Sequence, residues 1–325
     1  MAIIMSTVHS GEFVFLKSVK DGIPNRDPLA DSDARRLFGE EDGRISLSDV
    51  SVKRDVRDYV LAKYPEGDTN RDKFVFVHEE RTTEGKLLGR GSLVDSIFQR
   101  AGINVKNLKN SEERRRALCD HAYDVRIFGA VYSVAGQSFH LTGPAQFSWA
   151  HSLHPVETRY VQGTVMMPSK DAVIKEDGTD EGNTQGTIWT SWYLPFAVFA
   201  MTGVINATIA RDTGMTSDDV DLMLEALWKG TLHRQARGRG FQQPQLLVHI
   251  EYDDPFFRIG YLDESIRASL RSGIQIPKAL EDVVVDITGL NDRIVRYRDR
   301  ILRIRVWKNP ELRVTGTLDA EEFSF

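Results

Sequence analysis

The irregular order of strand-like and helical segments constrains the fold of this chain more than any single motif does. Short apolar runs rich in β-branched and aromatic residues, bounded by turn-forming residues, are typical of strands. They predict strands over residues 11–20, 73–79, 123–134, 138–150, 157–169, 245–252, 283–287 and 301–307. These strands do not alternate regularly with helices, as a doubly wound parallel sheet requires. We therefore expect an α+β fold, with an antiparallel sheet, helices on one face and long insertions.

Helical patterns lie between these runs. Residues 46–64 begin with serine and aspartate, and their apolar residues recur at spacings of three and four, which predicts an amphipathic helix. Residues 86–121 are polar and helical, and residues 216–232 have N-terminal threonine and serine followed by acids. The segment 187–214 is expected to begin as a strand and to continue as an apolar helix. No repeat and no break in composition divides the chain, so residues 1–325 are expected to form one domain.

Composition and hydropathy place the chain among ordinary globular proteins. The longest apolar run, residues 192–205, is shorter than the ~20 residues that a membrane-spanning helix needs, and Pro195 interrupts it. The N-terminus lacks the basic and apolar regions of a signal peptide. Cys119 is the single cysteine, so no intrachain disulfide can form, and we expect a buried thiol in a reducing, cytoplasmic protein without a membrane partner.

Cations cluster in a chain whose formal net charge is −5. Lys229, Arg234, Arg237 and Arg239 lie on a glycine-containing segment before a predicted strand, where guanidinium groups and backbone amides suit a polyanion. The alternative is a solvated loop that closes a helix. A second cationic element favours the polyanion, because the helix over residues 46–64 carries basic residues expected to lie largely off its apolar stripe. These residues are Lys53, Arg54 and Arg57.

Two further groups of residues bear on nucleic-acid binding. Val165, Met166 and Met167 precede a glycine- and acid-rich excursion, from which apolar side chains could wedge between stacked bases. Methionines in a core are the commoner alternative. Near the C-terminus Arg303 and Arg305 alternate with apolar residues, as on the solvent-facing side of an edge strand.

The strong catalytic signatures are absent, and we expect neither a cofactor nor a metal. No nucleophile elbow, phosphate-binding loop or zinc-protease motif occurs in the sequence. His151 and His154 could lie one helical turn apart, as in many metal-binding pairs. However, Pro155 follows directly, and no third metal ligand lies at a sequence spacing that would indicate a metal site. A loop with Asp27, Asp31 and Asp33 could bind Mg²⁺ or supply a base for RNA cleavage; ordinary turn chemistry explains the same residues. A small-molecule enzyme would need a convergent catalytic constellation, which the sequence does not offer.

Taken in order, several segments closely resemble one family. They are FVFLKSVKDGIPNRDP, SDVSVKRDVRDYV, DVRIFGAVY, SFHLTGPAQFSWAHSLHPVE, QGT, LP, GVIN and TGMTSDDVDLMLEALWKGT. Over about residues 11–253 the chain resembles Cas7, the backbone subunit of the CRISPR Cascade complex. The resemblance is to the Csh2-like group of type I-B systems, with the type I-C Cas7 group as its nearer relative.

The resemblance implies a fold and a function. The fold is a modified RNA-recognition-motif (ferredoxin-like) palm with finger and thumb insertions, the thumb at about residues 157–186; the role of residues 260–325 is left open. Type I members are regarded as non-catalytic, and they polymerise head to tail along a CRISPR RNA. Each copy grips the RNA backbone while its thumb displaces a base, and the remaining bases pair with target DNA. The implied partners are that RNA, the target DNA, other copies of the chain, and Cas5, Cas8, Cas6 and the small subunit.

The resemblance also carries residues over. Lys53, Arg54 and Arg57 match the family's basic helix, Asn25 and Arg26 its loop after the first strand, and Arg234, Arg237 and Arg239 its loop after the TGMTSDDV helix. Met166 and Met167 would belong to the thumb. Related type III proteins cleave RNA with a loop aspartate, so a metal-dependent ribonuclease that uses Asp27, Asp31 or Asp33 is the alternative function.

Overall fold

The computed structural model describes residues 8–134, 138–165, 173–174, 180–181 and 188–324. The described residues form seven α-helices: α1 (Asp49–Lys63), α2 (Arg90–Ala101), α3 (Ser111–His121), α4 (Tyr123–Phe128), α5 (Ala207–Thr213), α6 (Ser217–His233) and α7 (Thr288–Arg296). They also form seventeen strands: β1 (Gly11–Lys20), β2 (Ser46–Leu47), β3 (Gly129–Tyr132), β4 (Phe139–Thr142), β5 (Ala145–Phe147), β6 (Ala150–Ser152), β7 (Arg159–Thr164), β8 (Val173–Ile174), β9 (Asp180–Glu181), β10 (Ile188–Tyr193), β11 (Phe196–Ile205), β12 (Phe241–Tyr252), β13 (Arg267–Leu270), β14 (Val283–Asp286), β15 (Ile301–Lys308), β16 (Val314–Thr315) and β17 (Glu321–Glu322).

A central sheet organises the chain, and the expected α+β class is confirmed. Its strands lie in the order β17-β15-β12-β1-β11-β6-β2, with β5 also paired to β11. Neighbours are antiparallel except for the parallel pair β15 and β17. Four adjoining strands, β12, β1, β11 and β6, form its middle, with α1 after β1 and α6 between β11 and β12 in the chain.

One face of the sheet is covered by α1 and α6. Alternate residues of β1, among them Phe13 and Phe15, point into the same core as Val52 and Val56 of α1 and Leu227 of α6. The spacing of three and four that predicts α1 therefore marks its buried stripe. Burial of each such side chain stabilises the fold by about 1.5–3 kcal/mol.

A polar contact joins α1 to α6 above this core. On α6 the carboxylate of Glu225 accepts hydrogen bonds from the Tyr59 hydroxyl at 2.7 Å, from Lys63 at 2.8 Å and from Lys229 at 3.0 Å. Burial alone would raise the pKa of Glu225, but these three hydrogen bonds hold it at about 2. The carboxylate is therefore charged in the folded protein down to strongly acidic pH.

The C-terminal region covers the opposite face, which corrects the expectation of helices on one face only. Val14 and Leu16 of β1 pack with Leu290 and Ile294 of α7, and strands β13, β14 and β16 form a small sheet beside them. The central strands are consequently buried on both faces. Residues 260–325, whose role the sequence leaves open, supply much of this second core.

A helical insertion between α1 and β6 has a core of its own. Phe98 of α2 and Leu118 of α3 are fully buried there with Phe74 and Tyr132 close by. Cys119 lies in the same core, and burial raises the pKa of its thiol to about 11. The expectation of a buried, unreactive thiol agrees with this position.

The hairpin of β7 and β10 overlaps the predicted thumb, of which residues 157–165, 173–174 and 180–181 lie in the described part of the chain. Arg159 pairs with Tyr193 and Thr164 with Ile188 in an antiparallel register. Residues on both faces of β7 are exposed. The hairpin thus presents side chains on both sides of a two-stranded ribbon.

Three elements differ from the sequence-based prediction. Residues 196–205, predicted to be helical, form the central strand β11; a strand buried on both faces is apolar throughout and lacks the alternation that identifies strands. Residues 123–128, predicted as strand, form α4, in which every residue is buried, so no helical periodicity shows. Around Phe74, residues 73–79 form one isolated bridge to Ala122 rather than a strand.

The C-terminal arginine strand also differs. Strand β15 lies between β12 and β17 rather than at the sheet edge. Arg303 is exposed and pairs with Glu321, whereas Arg305 is buried and donates to Asp221 and to Nδ1 of His249. The interpretation of both arginines as solvent-facing therefore holds only for Arg303. None of the helices in the described ranges is both long and apolar enough to cross a membrane.

Candidate nucleic-acid interface

Three chain segments that carry the predicted RNA-binding residues meet beside the N-terminal half of α1. The amide of Ile23 donates to the carbonyl of Gly238 at 3.0 Å, which joins the loop after β1 to the loop after α6. Gly22 and Gly240 make this approach possible, because a Cβ on Gly22 would lie 2.0 Å from the Gly240 nitrogen. Asn25 connects the first loop to α1 through its Oδ1, which accepts from the Ser48 amide at 2.8 Å. Asn25 thus holds the start of the basic helix in place.

Close packing of α1 and α6 brings the third group into the same place. Gly230 of α6 faces the main chain of Asp55, where a Cβ would lie only 2.3 Å from the carbonyl oxygen. One turn later Arg234 reaches back across α1, and its Nη1 donates to the Ser51 carbonyl at 3.0 Å and to Asp55 Oδ1 at 2.8 Å. A small residue at position 230 is therefore part of how Arg234 is placed.

Ion pairs anchor most of the predicted cations to α1. Arg234 Nε lies 3.3 Å from Asp58, and Arg239 Nη2 lies 3.4 Å from Asp55. On α1 itself Lys53 pairs with Asp49 at 3.0 Å, and Arg54 pairs with Asp58. Lys53, 12% exposed in its side chain, also lies over the rings of Phe128 and Phe147.

Arg57 departs from its predicted surface position. Its side chain is buried, donates from Nε to Asp124 at 2.8 Å, and stacks over Phe128. The same Asp124 carboxylate accepts hydrogen bonds from the backbone amides of Phe76 and Val77. The expectation that Arg57 lies off the apolar stripe is therefore wrong, because the helical insertion packs over that side of α1.

Arg26 and Arg237 are the exposed cations of the group. Arg26 Nη2 donates to the Ser191 hydroxyl at 3.0 Å and to the Gly238 carbonyl at 3.3 Å. Arg237 lies over the ring of Trp189, 4.1 Å from its centroid. Neither guanidinium forms an ion pair with any residue in the described ranges. Both side chains contact residues of β10, so the base of the hairpin and the cationic loops form one continuous surface.

The remaining predictions have different outcomes. Met166 and Met167 lie outside the described residues, and their role as wedges stays a prediction. His151 and His154 do not lie on a helix: Nδ1 of His151 is 3.0 Å from the Ser46 hydroxyl, and Nδ1 of His154 is 2.8 Å from the Pro155 carbonyl. Within the described ranges no three His, Cys, Asp or Glu residues are arranged to hold a metal ion.

The aspartate loop uses its carboxylates within its own turns. Asp27 Oδ1 accepts from the Leu29 amide at 3.0 Å. Asp33 accepts from the Ala34 amide at 2.6 Å and from the Thr158 hydroxyl at 3.0 Å. The hydrogen bonds from Leu29 and Ala34 stabilise the turns of the loop, and the hydrogen bond from Thr158 connects the loop to the start of the hairpin.

Sequence reasoning missed Lys17 and Asp55. Lys17 Nζ donates to Asp55 Oδ2 at 2.8 Å, and the two side chains are 2% and 1% exposed. Both could have been noticed, because Lys17 interrupts an apolar strand and Asp55 stands beside Val56 in the apolar stripe of α1. A charged residue at a buried position indicates a partner.

The chain is similar to known proteins over almost its whole length. A family model for CRISPR-associated protein Cas7 matches residues 9–288. The CRISPR-associated protein Cas7 of Haloferax volcanii is 26% identical over 341 residues, covering 98% of this chain and 93% of the relative.

Two solved structures share the fold. A chain of a pre-nicking CRISPR RNA-guided surveillance complex has a TM-score of 0.57 at 13% identity, covering 97% of this chain and 96% of its own. A chain of another CRISPR RNA-guided surveillance complex has a TM-score of 0.53 at 14% identity, covering 96% and 95%. At such low identity these likenesses concern the fold alone.

Proposed function

Because the chain belongs to the Cas7 family of CRISPR-associated proteins, we propose that it is a non-catalytic CRISPR RNA-binding backbone subunit of a type I Cascade effector complex. The subtype that we propose is I-B, with a Csh2-like subunit, on the strength of the sequence motifs. In this role the chain polymerises along the guide RNA and presents it for pairing with target DNA, in antiviral defence or another RNA-guided process.

The observation that carries the proposal is the convergence of cations from three separate segments on one surface. Arg26 from the loop after β1 and Arg234, Arg237 and Arg239 from the segment after α6 come together beside Arg54 of α1, although the chain as a whole is acidic. Guanidinium groups bind phosphate in a fixed fork geometry and read no sequence, as a subunit that must accept any guide requires. The acidic remainder limits binding to bulk nucleic acid.

The topology supports an RNA-recognition-motif-like palm. Strands β12, β1, β11 and β6 adjoin in that order, α1 follows β1, and α6 precedes β12, which is the arrangement of a split βαβ unit. The helical insertion and the hairpin of β7 and β10 then correspond to finger and thumb. In this assignment the cationic loops lie where the thumb leaves the palm.

Assembly is the second part of the proposal. We assign the chain to a cytoplasmic complex in which its partners are further copies of itself, Cas5, Cas8, Cas6 and a small subunit. Head-to-tail contacts between copies are heterologous and do not close, so the expected form is a helical oligomer on RNA.

A metal-dependent ribonuclease is less well supported. Asp27 and Asp33 accept hydrogen bonds from their own turns and from Thr158, which gives them a structural role, and no three His, Cys, Asp or Glu residues of the described ranges are arranged to hold a metal ion. Asp33→Ala tests this directly. In the proposed function, RNA stays intact with Mg²⁺ in both the wild type and this variant; Mg²⁺-dependent cleavage that Asp33→Ala abolishes would favour the ribonuclease.

The RNA-binding surface is tested by charge reversal. Arg26→Glu with Arg237→Glu should weaken binding to RNAs of any sequence, and should reduce the slope of log affinity against log salt by about 1.4, since each single-strand phosphate contact contributes about 0.7. The control matched in charge is Arg90→Glu with Arg116→Glu, two exposed arginines on α2 and α3 of the helical insertion. Equal losses in the two variants would mean that net charge rather than this surface sets the affinity.

A further inference from the structure

Six charged side chains beside α1 form one connected cluster, which we call the Asp55 cluster. Asp55 binds Lys17 at 2.8 Å, Arg234 at 2.8 Å and Arg239 at 3.4 Å. Arg234 continues to Asp58 at 3.3 Å, and Asp58 also binds Arg54. Four cations thus share two carboxylates, which leaves a surplus of two positive charges.

The surplus lies towards the surface. The side chains of Lys17 and Asp55 are 2% and 1% exposed, whereas exposure rises to 18% for Arg239, 24% for Arg234 and 42% for Arg54. The buried residues Lys17 and Asp55 neutralise each other's charge. Arg54, Arg234 and Arg239 lie nearer the surface, and their counter-charges are Asp58 and the Asp55 carboxylate that they share with Lys17.

Uncompensated charge at such a position is unfavourable until an anion arrives. Burial lowers the pKa of Lys17 and, although Asp55 opposes the effect, that of Arg239. Arg239 Nε is buried and has no hydrogen-bond partner among the described residues. An unpaired buried donor beside surplus positive charge indicates that part of the site is completed by a ligand.

We propose that the Asp55 cluster is a preformed binding site for one phosphodiester group, with Asp55 as the residue that positions Arg234 and Arg239 for it. This inference rests on the proposed function for its natural ligand, the RNA backbone. Without Asp55 the two guanidinium groups, both close to a third cation at Lys17, would repel one another and turn away. A purely structural role for Asp55 is the alternative.

A pair of variants separates positioning from stability. Lys17→Met with Asp55→Leu replaces the buried ion pair by apolar side chains of similar size, a change that is often neutral for stability. Lys17→Met alone removes the same cation but leaves Asp55 to hold both arginines. The single variant keeps Asp55 to hold both arginines, so we expect it to lose less RNA affinity than the double variant, although it lowers the surplus charge of the cluster by one. The double variant should bind roughly tenfold more weakly, as for the loss of one charge-assisted contact, with its salt slope reduced by about 0.7.

Inorganic phosphate tests the site without RNA. At matched ionic strength, replacing chloride by phosphate should raise the Tm of the wild type and of Lys17→Met more than that of the double variant. Any general stabilisation by phosphate is common to all three proteins. Wild-type protein that fails to bind RNA would refute the proposed function, while the phosphate response would still decide whether the anion site exists.

The result that would overturn the proposal depends on whether the double variant folds. A folded double variant with wild-type RNA affinity and wild-type phosphate response would leave Asp55 no positioning role. Should the double variant not fold, Arg239→Gln takes its place, since Arg239 lies at the partly exposed end of the cluster. Retention of the full phosphate response in Arg239→Gln would exclude the site.

Discussion

Replacing Gly230 by alanine tests the close packing of α1 and α6 on which the cationic surface depends. A Cβ at this position would lie 2.3 Å from the carbonyl oxygen of Asp55, 2.9 Å from its carbonyl carbon and 3.2 Å from Cβ of Tyr59. Ordinary contact begins at 3.4 Å, so the helices must separate by roughly 1 Å. The nearest atoms belong to the backbone of α1 and cannot rotate away.

Two opposing effects set the size of the change. Alanine is favoured over glycine inside a helix by about 0.8–1 kcal/mol. Overpacking of a well-packed contact costs about 1–3 kcal/mol. We therefore expect Gly230→Ala to lower the free energy of unfolding by about 1 kcal/mol, and to weaken RNA binding because the ion pair between Arg234 and Asp55 spans the two helices.

Urea unfolding and RNA titration measure the two effects. The matched control is Gly91→Ala in α2, where a Cβ would meet only Val134 side-chain atoms, the nearest at 3.6 Å. That variant should be at least as stable as the wild type and bind RNA equally well. A Gly230→Ala protein that is more stable than the wild type would refute the packing argument.

Three further predictions concern the hairpin, the contact between α1 and α6, and the thumb. Trp189→Ala removes the ring under Arg237. It should weaken RNA binding several-fold, which corresponds to roughly the 0.5–1 kcal/mol of an exposed cation–π contact. A change of Tm without a change of RNA affinity would contradict this prediction. Glu225 has a folded pKa of about 2, below its ordinary value of 4.5, so its stabilising effect is complete above about pH 4.5 and is lost as the pH falls towards 2. Glu225→Gln should therefore be less stable than the wild type at neutral pH. In a series of urea melts at different pH values, the difference in free energy of unfolding between the two proteins should disappear between pH 4.5 and 2. Met166→Ala with Met167→Ala should alter the nucleotide spacing seen in the chemical reactivity of bound RNA, and unchanged reactivity would exclude the wedge.

Local sequence signals predicted the elements that have one buried face or a clear cap. Thr216 begins α6 with a capping box in which its side chain accepts from the Asp219 amide and Asp219 accepts from the Thr216 amide. The spacing of Val52, Val56 and Val60 predicted α1 within a few residues of its ends. Such signals are local, and tertiary contacts here reinforce them.

Elements buried on every side escaped prediction because burial removes periodicity. Strand β11 packs against cores on both faces, and its second core comes from residues far along the chain. In α4, Arg126 binds the Asp219 carboxylate through Nε and Nη2, both at 2.9 Å, so a tertiary contact fixes this short helix. Neither partner can be read from the local sequence.

The candidate site was predicted as a set of cations but not as a network. Positive charge on α1 and after α6 pointed to Arg234 and Arg239, and the structure brings them to one carboxylate. The buried position of Arg57 follows from the helical insertion packing over α1, which composition does not indicate. Charge pattern predicts which segments bind a polyanion, whereas burial decides which individual side chains are available.

The RNA content of the purified protein tests the central claim most directly. Absorbance at 260 and 280 nm is recorded across a gel-filtration profile, and the RNA-bearing fractions are incubated with Mg²⁺ and analysed for RNA length. The proposed function predicts large protein–RNA species whose RNA stays intact. A nucleic-acid-free monomer that also fails to bind added RNA would contradict it.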